Sequence, residues 1–461
     1  MLGCRSEQVA EVRGGTVKAD FKGKRVTVVG MARSGIAAAR ALAALGARVI
    51  ATDKKPLDQL AAQVKTLGAA GVTIVAGGHP DRIFFETDLI VLSPGVPKIA
   101  PILEAQRHGV RVISELELAW QLSDAPYVGI TGTNGKSTVT TLVGLMLARA
   151  RKKVLVAGNI GNALTEDIAL LRDRDWIVAE LSSFQLEDIV TFRPRVAAVL
   201  NVTQDHLDRY HSIDEYGEAK ARIFLNQRKE DLLVLNFDDP LVKSYALRTL
   251  ATVVPFSRLL RFNPGACVLK GYLTVNNKRI LPVKEIRITG VHNLENSLAA
   301  AALAISAGAD ARSVAAVLRE FPGLEHRLEF VRKKGGVTYI NDSKGTNVGA
   351  VVKSVEGFTE PVILIAGGLD KGSDFSPLYG LFKRKVKLLV LIGRAADKMA
   401  KALGSSTETV FAKTLKDAVQ LASKRASRGD VVLLSPACAS FDMFKDFEDR
   451  GRQFKEAVNA L

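Results

Sequence analysis

Residues Gly129 to Thr138 read GITGTNGKST. An apolar run, Tyr127 to Thr131, leads into this stretch and a helix-forming run, Val139 to Ala150, follows it. Strand, glycine-rich loop, lysine, hydroxyl and helix make a phosphate cradle in which loop amides and the helix N-terminus face the anion. Lys136 then neutralises the β/γ oxygens, and Ser137 or Thr138 is placed to hold Mg²⁺. The spacing departs from GxxxxGK[ST], because Ile130 stands at the first glycine and Gly132 falls inside the loop. The flanking strand and helix carry the reading, which makes this block an α/β unit with its loop at the C-terminal end of a strand.

Two later strands of the block end in groups suited to a divalent cation. Trp176 to Ala179 delivers Glu180, in AELSSFQLE, and Val196 to Leu200 runs into NVTQDHLDRY, which puts Asp205, His206 and Asp208 in one loop. A carboxylate at a strand end can meet the ion or its water shell. With a phosphate loop in the same sheet, His206 reads as a site residue rather than a structural hydrogen-bonder. In GVHNLEN, Asn293 and Asn296 lie three apart and share a helix face turned toward a base or ribose; N-capping by Asn293 is the alternative.

The N-terminal part repeats strand, turn and helix. Arg25 to Val29 runs into Gly30, Ile36 to Leu45 is a helix stopped by Gly46, and Arg48 to Thr52 ends at Asp53. Further strands are expected at Val72 to Val75, Asp88 to Leu92 and Val110 to Ile113. Gly30 to Gly35 reads GMARSG, with Ala32 where a GxGxxG fingerprint needs its second glycine. That break favours a relative of the dinucleotide fold holding another nucleotide over an NAD-dependent dehydrogenase. After Phe321-Pro322-Gly323 a third α/β block begins, with strands at Val337 to Ile340, Val362 to Ala366, Lys387 to Ile392 and Val431 to Ser435. Its strands end in NDSKGTN, GGLDKGSDF, Gly393-Arg394 and SPACASFDMF, four loops at one sheet edge, which makes a site there. The expected domains are 1–118, 119–323 and 324–461.

Composition bounds these readings. The chain has 461 residues, 47% hydrophobic and 24% charged, which excludes disorder and suits several domains. The 64 Lys+Arg against 48 Asp+Glu leave +16, spread over all three blocks rather than gathered in a nucleic-acid arm or polybasic anchor. Short clusters such as Arg151-Lys152-Lys153 and Arg332-Lys333-Lys334 read as solvated loops or helix ends. Cys4, Cys267 and Cys438 show no CxxC spacing, so neither a disulfide framework nor a zinc site is expected and the compartment is reducing. No apolar run reaches the roughly 18 residues of a membrane span.

Taken together, GITGTNGKST, AELSSFQLE, NVTQDHLDRY, GVHNLENSLAA, GLEHR at Gly323 to Arg327, NDSKGTN and LSPACASFDMF resemble the Mur ligases over nearly all of the chain from Lys24 onward. NDSKGTN and SPACASFDMFKDFEDRG are of the type found in the branch that adds D-glutamate to UDP-N-acetylmuramoyl-L-alanine. Folylpolyglutamate synthases share the central plan but not this N-terminal domain. The resemblance implies a Rossmann-like N-terminal domain, a central P-loop ATPase-type mixed sheet and a Rossmann-like C-terminal domain. It implies an ATP-dependent amide ligase working through an acyl phosphate in peptidoglycan precursor synthesis, as a cytoplasmic monomer without nucleic-acid partner or membrane insertion.

Residue roles follow from the same resemblance. ATP is held by Gly132, Thr133, Asn134, Gly135, Lys136, Ser137, Thr138, Asn296, Arg327 and Asp342. Lys344 lies near the transferred phosphate and Asn159, in VAGNIG, near the reacting groups. Ser137, Glu180 and His206 serve two Mg²⁺ ions, with Lys220 as a CO₂-derived carbamate. The UDP substrate falls to Arg33, Ser34, Asp53, Lys54, Ser93, Gly95 and Ser182, and D-glutamate to Thr346, Lys371, Ser440, Phe441 and Phe447. Three rivals stand: another Mur-type or folylpolyglutamate-type ligase, the NAD-dependent dehydrogenase, and a non-enzymatic nucleotide-binding or nucleic-acid-binding scaffold.

Overall fold

The computed structural model describes residues 20–168, 171–206, 209–370 and 372–461. Cys4 with the rest of the N-terminal tail, Asp208 and Lys371 lie outside the described residues. Three sheets follow one another along the chain. The first holds β1 (Arg25–Val29), β2 (Arg48–Asp53), β3 (Thr73–Ala76), β4 (Leu89–Leu92) and β5 (Arg111–Ser114) in the order β3-β2-β1-β4-β5. All neighbours are parallel. Parallel strands covered on both faces read as unbroken apolar runs, and LIVL of β4 is buried throughout. The chain steps from β1 out to β3, then returns to the far side of β1, so the loops after β1 and β4 part and open a crevice.

The second sheet holds β6 (Tyr127–Thr131), β7 (Val154–Gly158), β8 (Trp176–Glu180), β9 (Val196–Val199), β10 (Leu232–Asn236), β11 (Thr252–Ser257), β12 (Ala266–Leu269), β13 (Tyr272–Val275) and β14 (Lys278–Pro282). Its order is β14-β13-β12-β11-β10-β9-β6-β8-β7. It is mixed, since β12 to β14 form an antiparallel meander on an otherwise parallel sheet. Asn276 and Asn277 turn the last hairpin with φ of 50° and 61°, the left-handed conformation that a two-residue turn requires. Helices Lys136–Arg149 and Val291–Ser306 cover one face, where Ala299 to Ala302 are fully buried against the strands.

The third sheet holds β15 (Glu329–Lys334), β16 (Val337–Asn341), β17 (Val362–Gly367), β18 (Val386–Ile392), β19 (Glu408–Phe411) and β20 (Val431–Leu434), ordered β15-β16-β20-β17-β18-β19. Two of its strands depart from expectation. Arg332-Lys333-Lys334 is not a loop or helix end but the close of the antiparallel edge strand β15. A charged sequence suits an edge, where Lys333 and Lys334 face water and discourage pairing with another chain. The short edge strand β19 was likewise not anticipated.

The first two domains are clamped by one carboxylate. Glu117, on the helix Glu115–Gln121 that leaves β5, is completely buried. Its Oε2 accepts from the backbone N–H groups of Val190, Thr191 and Phe192 at 2.9–3.0 Å, and its Oε1 accepts from the Thr191 hydroxyl and from Gln121 Nε2. Glu117→Ala strands these donors in the interior, each worth about 1–3 kcal/mol when unsatisfied, so a loss of about 3 kcal/mol or more is expected. Urea denaturation measures this, and an unchanged midpoint for the alanine variant would remove the clamp.

Candidate active site

In the second sheet β6 stands between β8 and β9, so the loop after it emerges where the strand order reverses. Gly132 has φ +148° and a Cβ there would lie 2.9 Å from Leu200 Cβ; Gly135 has φ +86° and a Cβ would meet Asn296 Oδ1 at 2.3 Å. Only glycine fits either place. The turn at Gly135 lets the helix begin at Lys136, three residues before the expected Val139, so Lys136, Ser137 and Thr138 all lie in its first turn. Asn201, at the end of β9, straps the loop. Its Oδ1 accepts from Asn134 N–H at 2.8 Å and its Nδ2 donates to the Asn134 carbonyl at 3.0 Å. Sequence reading passed over this asparagine; its only signal is a polar residue ending an apolar strand.

Cations crowd this loop. Lys136 Nζ donates to the carbonyls of Gly132 and Thr133, both at 2.9 Å, and Lys220 Nζ donates to the same Gly132 carbonyl at 3.1 Å. Arg327, from beyond the second domain, donates to Ser137 Oγ at 2.9 Å. Burial pushes the Lys136 ammonium below its ordinary range, with Glu180 opposing. Lys220 is 1% exposed and is driven much further down, by burial first and then by the charge of Lys136. Lys344 falls to about 8, again through burial, with Arg327 adding to it. Such a cluster is relieved by a bound polyanion.

Glu180 is 2% exposed. Its Oε1 accepts from Asn159 Nδ2 at 2.9 Å, while Oε2 is buried without a hydrogen-bond partner. His206 sits at φ +55°, its ring edge-on to Phe184 at 4.9 Å. Lys220 Nζ lies 4.1 Å over the ring of Tyr216, four residues earlier on the helix Ile213–Ala221, so the i,i+4 pair that the sequence offers as the alternative reading of Lys220 is formed, though on a buried rather than a surface lysine. Among the described residues no three His, Cys, Asp or Glu side chains form a metal cage. The donors therefore fit an ion completed by phosphate oxygens, as Mg²⁺ takes them, and the orphaned Glu180 oxygen suits that role.

Between the second and third sheets lies a cavity of about 400 Å³, lined by Asn134, Gly135, Thr138, Asn296, Arg327, Asp342 and Lys344 among others. Gly290 precedes the helix Val291–Ser306, so Asn293 is not its N-cap; Asn293 donates to the Thr289 carbonyl and lies beside Asn296 on the cavity face. His292, also unforeseen, lines the same cavity with a buried Nδ1 that has no partner, and burial lowers its ring to about 4. Asp342 Oδ2 accepts from the hydroxyls of Ser354 and Ser435 at 2.8 and 2.7 Å. Burial nevertheless raises its carboxyl to about 6.

The other expected residues fall in two further places. At the first sheet's crevice Ser93 Oγ donates to the Gly30 carbonyl at 2.9 Å, and a Cβ on Gly35 would lie 1.8 Å from that oxygen. The turn is thus as tight as a dinucleotide turn, although Ala32 replaces a glycine. Asp53 accepts from the N–H groups of Met31 and Lys55, Lys54 and Gly95 are exposed, Ser34 lies in the first turn of the helix Arg33–Ala44, and Arg33 reaches the Gly158 carbonyl at 3.5 Å. Ser182 caps the helix Ser183–Glu187 in a capping box with Gln185. At the third sheet, Thr346 joins Asp205, His206, Ser373 and Cys438 around a small second cavity. Ser440 is buried, Phe441 is 68% exposed, and neither lines that cavity. Phe447 instead packs under Lys344, whose Nζ lies 3.6 Å from the ring centroid.

Three family models match the chain: "Mur ligase MurD-like, N-terminal domain" over residues 24–114, "Mur ligase middle domain" over 130–304 and "Mur ligase, glutamate ligase domain" over 326–438. The UDP-N-acetylmuramoylalanine–D-glutamate ligase of Geotalea uraniireducens is 49% identical over 442 residues, covering 95% of this chain and 98% of that one. The protein of the same description from Caldanaerobacter subterraneus is 45% identical over 96% of this chain and 99% of its own. Two solved structures share the fold, each with a TM-score of 0.60. They are a pseudomurein peptide ligase type C from Methanothermus fervidus, 20% identical over 95% of this chain and 100% of that one, and a UDP-N-acetylmuramate-alanine ligase from Thermotoga maritima, 21% identical over 95% and 99%.

Asp342 makes a testable pH signature. Its value of about 6 in the folded chain exceeds the ordinary 3.8, so the folded state holds the proton more tightly. This group's contribution to stability is complete below about pH 4 and is lost as pH rises through about 6. The difference in unfolding free energy between wild type and Asp342→Asn should therefore fall over that interval. A difference that stays flat from pH 4 to pH 8 would show an unperturbed carboxyl.

Proposed function

The chain belongs to the Mur ligase family, and from that premise we propose that it joins D-glutamate to UDP-N-acetylmuramoyl-L-alanine in an ATP-driven step of peptidoglycan precursor synthesis. The observation that carries the chemistry is the group of buried cations, Lys136, Lys220 and Arg327, about the phosphate loop. The γ-phosphoryl group of ATP passes to the alanyl carboxylate, giving an acyl phosphate and ADP. The amine of D-glutamate attacks the acyl carbon, phosphate leaves, an amide forms and the amine gives up a proton. No covalent enzyme nucleophile is required, and catalysis rests on positioning three reactants and on neutralising phosphoryl charge.

In this reading Lys136 binds the β/γ-phosphates within the cradle Gly132 to Thr138, Asn296 and Asp342 hold the nucleoside, and Lys344 meets the transferred phosphoryl group. Arg327 closes from the third domain and helps exclude water from the acyl phosphate. Asn159 and Glu180 lie toward the reacting carboxylate. Ser137, Glu180 and His206 would hold Mg²⁺, which when bound would supply charge neutralisation at the phosphate oxygens. Burial holds the Lys220 ammonium well below its ordinary range and so eases its deprotonation; the free amine is the form that combines with CO₂, releasing a proton and leaving an anionic carbamate suited to a second ion. Arg33, Ser34, Asp53, Lys54, Ser93, Gly95 and Ser182 take the UDP substrate. Thr346, Lys371, Ser440, Phe441 and Phe447 take D-glutamate. Domains 1–118, 119–323 and 324–461 each present one reactant, and the enzyme works as a cytoplasmic monomer.

Phosphate release from ATP with UDP-N-acetylmuramoyl-L-alanine, offered D-Glu, L-Glu, L-Lys or meso-diaminopimelate, is expected with D-Glu. Turnover with a diamino acid but not D-Glu would overturn the substrate assignment. Lys136→Ala should cost about a thousandfold or more in kcat, the scale of removing a preorganised donor to transition-state charge. Lys220 is read separately. ¹³CO₂ should give a carbamate resonance in the wild type that Lys220→Ala lacks, and activity should fall in CO₂-depleted buffer; an alanine variant of full activity across CO₂ and Mg²⁺ concentrations would remove that role.

A further inference from the structure

A five-residue helix, Ser183–Glu187, follows Glu180 at the end of β8 and packs against the loop beyond β9 that carries His206. It starts three residues after Glu180 and ends at Glu187, whose carboxylate points at the histidine loop. Glu187 Oε2 accepts from Arg209 Nη2 at 2.6 Å, and Oε1 accepts from the hydroxyl of Tyr210. Both donors are anchored to His206, because the backbone N–H groups of Arg209 and Tyr210 donate to the His206 carbonyl at 3.0 and 3.1 Å. The rings repeat the connection. Phe184, on the same helix, meets His206 edge-on at 4.9 Å, lies parallel to Tyr210 at 6.0 Å and carries the Arg209 guanidinium carbon 4.4 Å from its ring centroid.

The helix is itself fixed. The capping box closes its start, and Arg222 donates to the carbonyls of Leu186 and Ile189 at 2.8 and 3.0 Å at its end. His206, by contrast, sits at φ +55°, a conformation that residues other than glycine adopt only when their surroundings hold them there. We propose that Glu187 is the positioning residue for His206, locking the histidine loop through Arg209 and Tyr210 against the helix that follows Glu180. The proposal rests on the reading of His206 as a site residue. It makes the spacing of Glu180 and His206 a property of one short helix rather than of two independent loops. Residues behind a ligand commonly set its orientation, and their loss costs about 10–100-fold in metal affinity or activity.

The test compares wild type, Glu187→Ala, Glu187→Gln and His206→Gln. With six histidines in the chain, ring-labelled protein without metal or nucleotide should show one ring resonance displaced by Phe184 and missing in His206→Gln. Glu187→Ala should return that resonance toward its unshifted position, lower kcat about tenfold or more, raise the half-saturating Mg²⁺ concentration about tenfold and leave KM for the UDP substrate unchanged. Glu187→Gln, which keeps one acceptor oxygen, should recover part of each effect. Should Glu187→Ala not fold, Arg209→Gln combined with Tyr210→Phe removes the same two bonds from the other side and is read identically. A displaced resonance and a kcat within twofold of wild type in the Glu187 variant, while His206→Gln is inactive, would overturn the positioning role alone. Full turnover by His206→Gln would overturn the site reading beneath it.

Discussion

Everything in this chain turns on holding several positive charges out of water around one backbone loop. An ammonium or guanidinium in a protein interior is costly unless it is paired, and here Lys136, Lys220 and Arg327 feel the charges of Glu180, Asp205 and Asp342 but donate their hydrogen bonds to carbonyls and a hydroxyl instead. Lys136 and Lys220 make do with loop carbonyls, two of the bonds falling on the single oxygen of Gly132. The interior thus presents a field ready for a phosphate chain before any ligand arrives. The second sheet, which carries the loop, is packed with fully buried apolar residues in two clusters, a rigid support for that field.

The loops that meet the reactants are placed by topology more than by local sequence. In the first two sheets the strand order reverses beside a central strand, and there the connecting loops are driven apart. The third sheet inserts β20 between β16 and β17, which brings the Asn341 to Asn347 loop beside Ser435 to Ser440; Ser435 donating to Asp342 and Ala437 N–H donating to the Gly345 carbonyl knit them together. The first domain is docked firmly through Glu117. The third meets the second through polar contacts instead, such as Asn347 to Asp205 at 3.0 Å and Lys353 to Glu295 at 2.8 Å.

Much of this was legible in the residues. GITGTNGKST announced its loop because glycines, lysine and hydroxyls at fixed offsets have few other uses, and the buried parallel strands announced themselves as apolar runs. What escaped did so for physical reasons. EFVRKK of β15 is too charged to read as a strand, yet an edge tolerates that charge. Asn201 and Glu187 act by reaching across to segments distant in the chain, Asn134 and Arg209-Tyr210, and no spacing along the chain encodes such a meeting. The helix at Lys136 began early because the left-handed Gly135 resets the chain direction, which propensity alone does not register. Asp53 lies where expected at the end of β2, but its carboxylate is occupied with the backbone N–H groups of Met31 and Lys55, a commitment set by the folded turn and not by the sequence around it.

The large cavity draws its walls from two domains, with Asn296 on one side and Asp342 on the other. A molecule filling it touches both, and so acts as a rivet between bodies joined covalently only through the stretch from Phe321 to Arg327. Apparent affinity for that molecule then includes the free energy of bringing the domains together, by the ordinary rule that a binding-competent state only fractionally populated weakens binding in proportion. The length and stiffness of this short connector, which never needs to contact the ligand, thereby enter the dissociation constant on equal terms with the side chains that do.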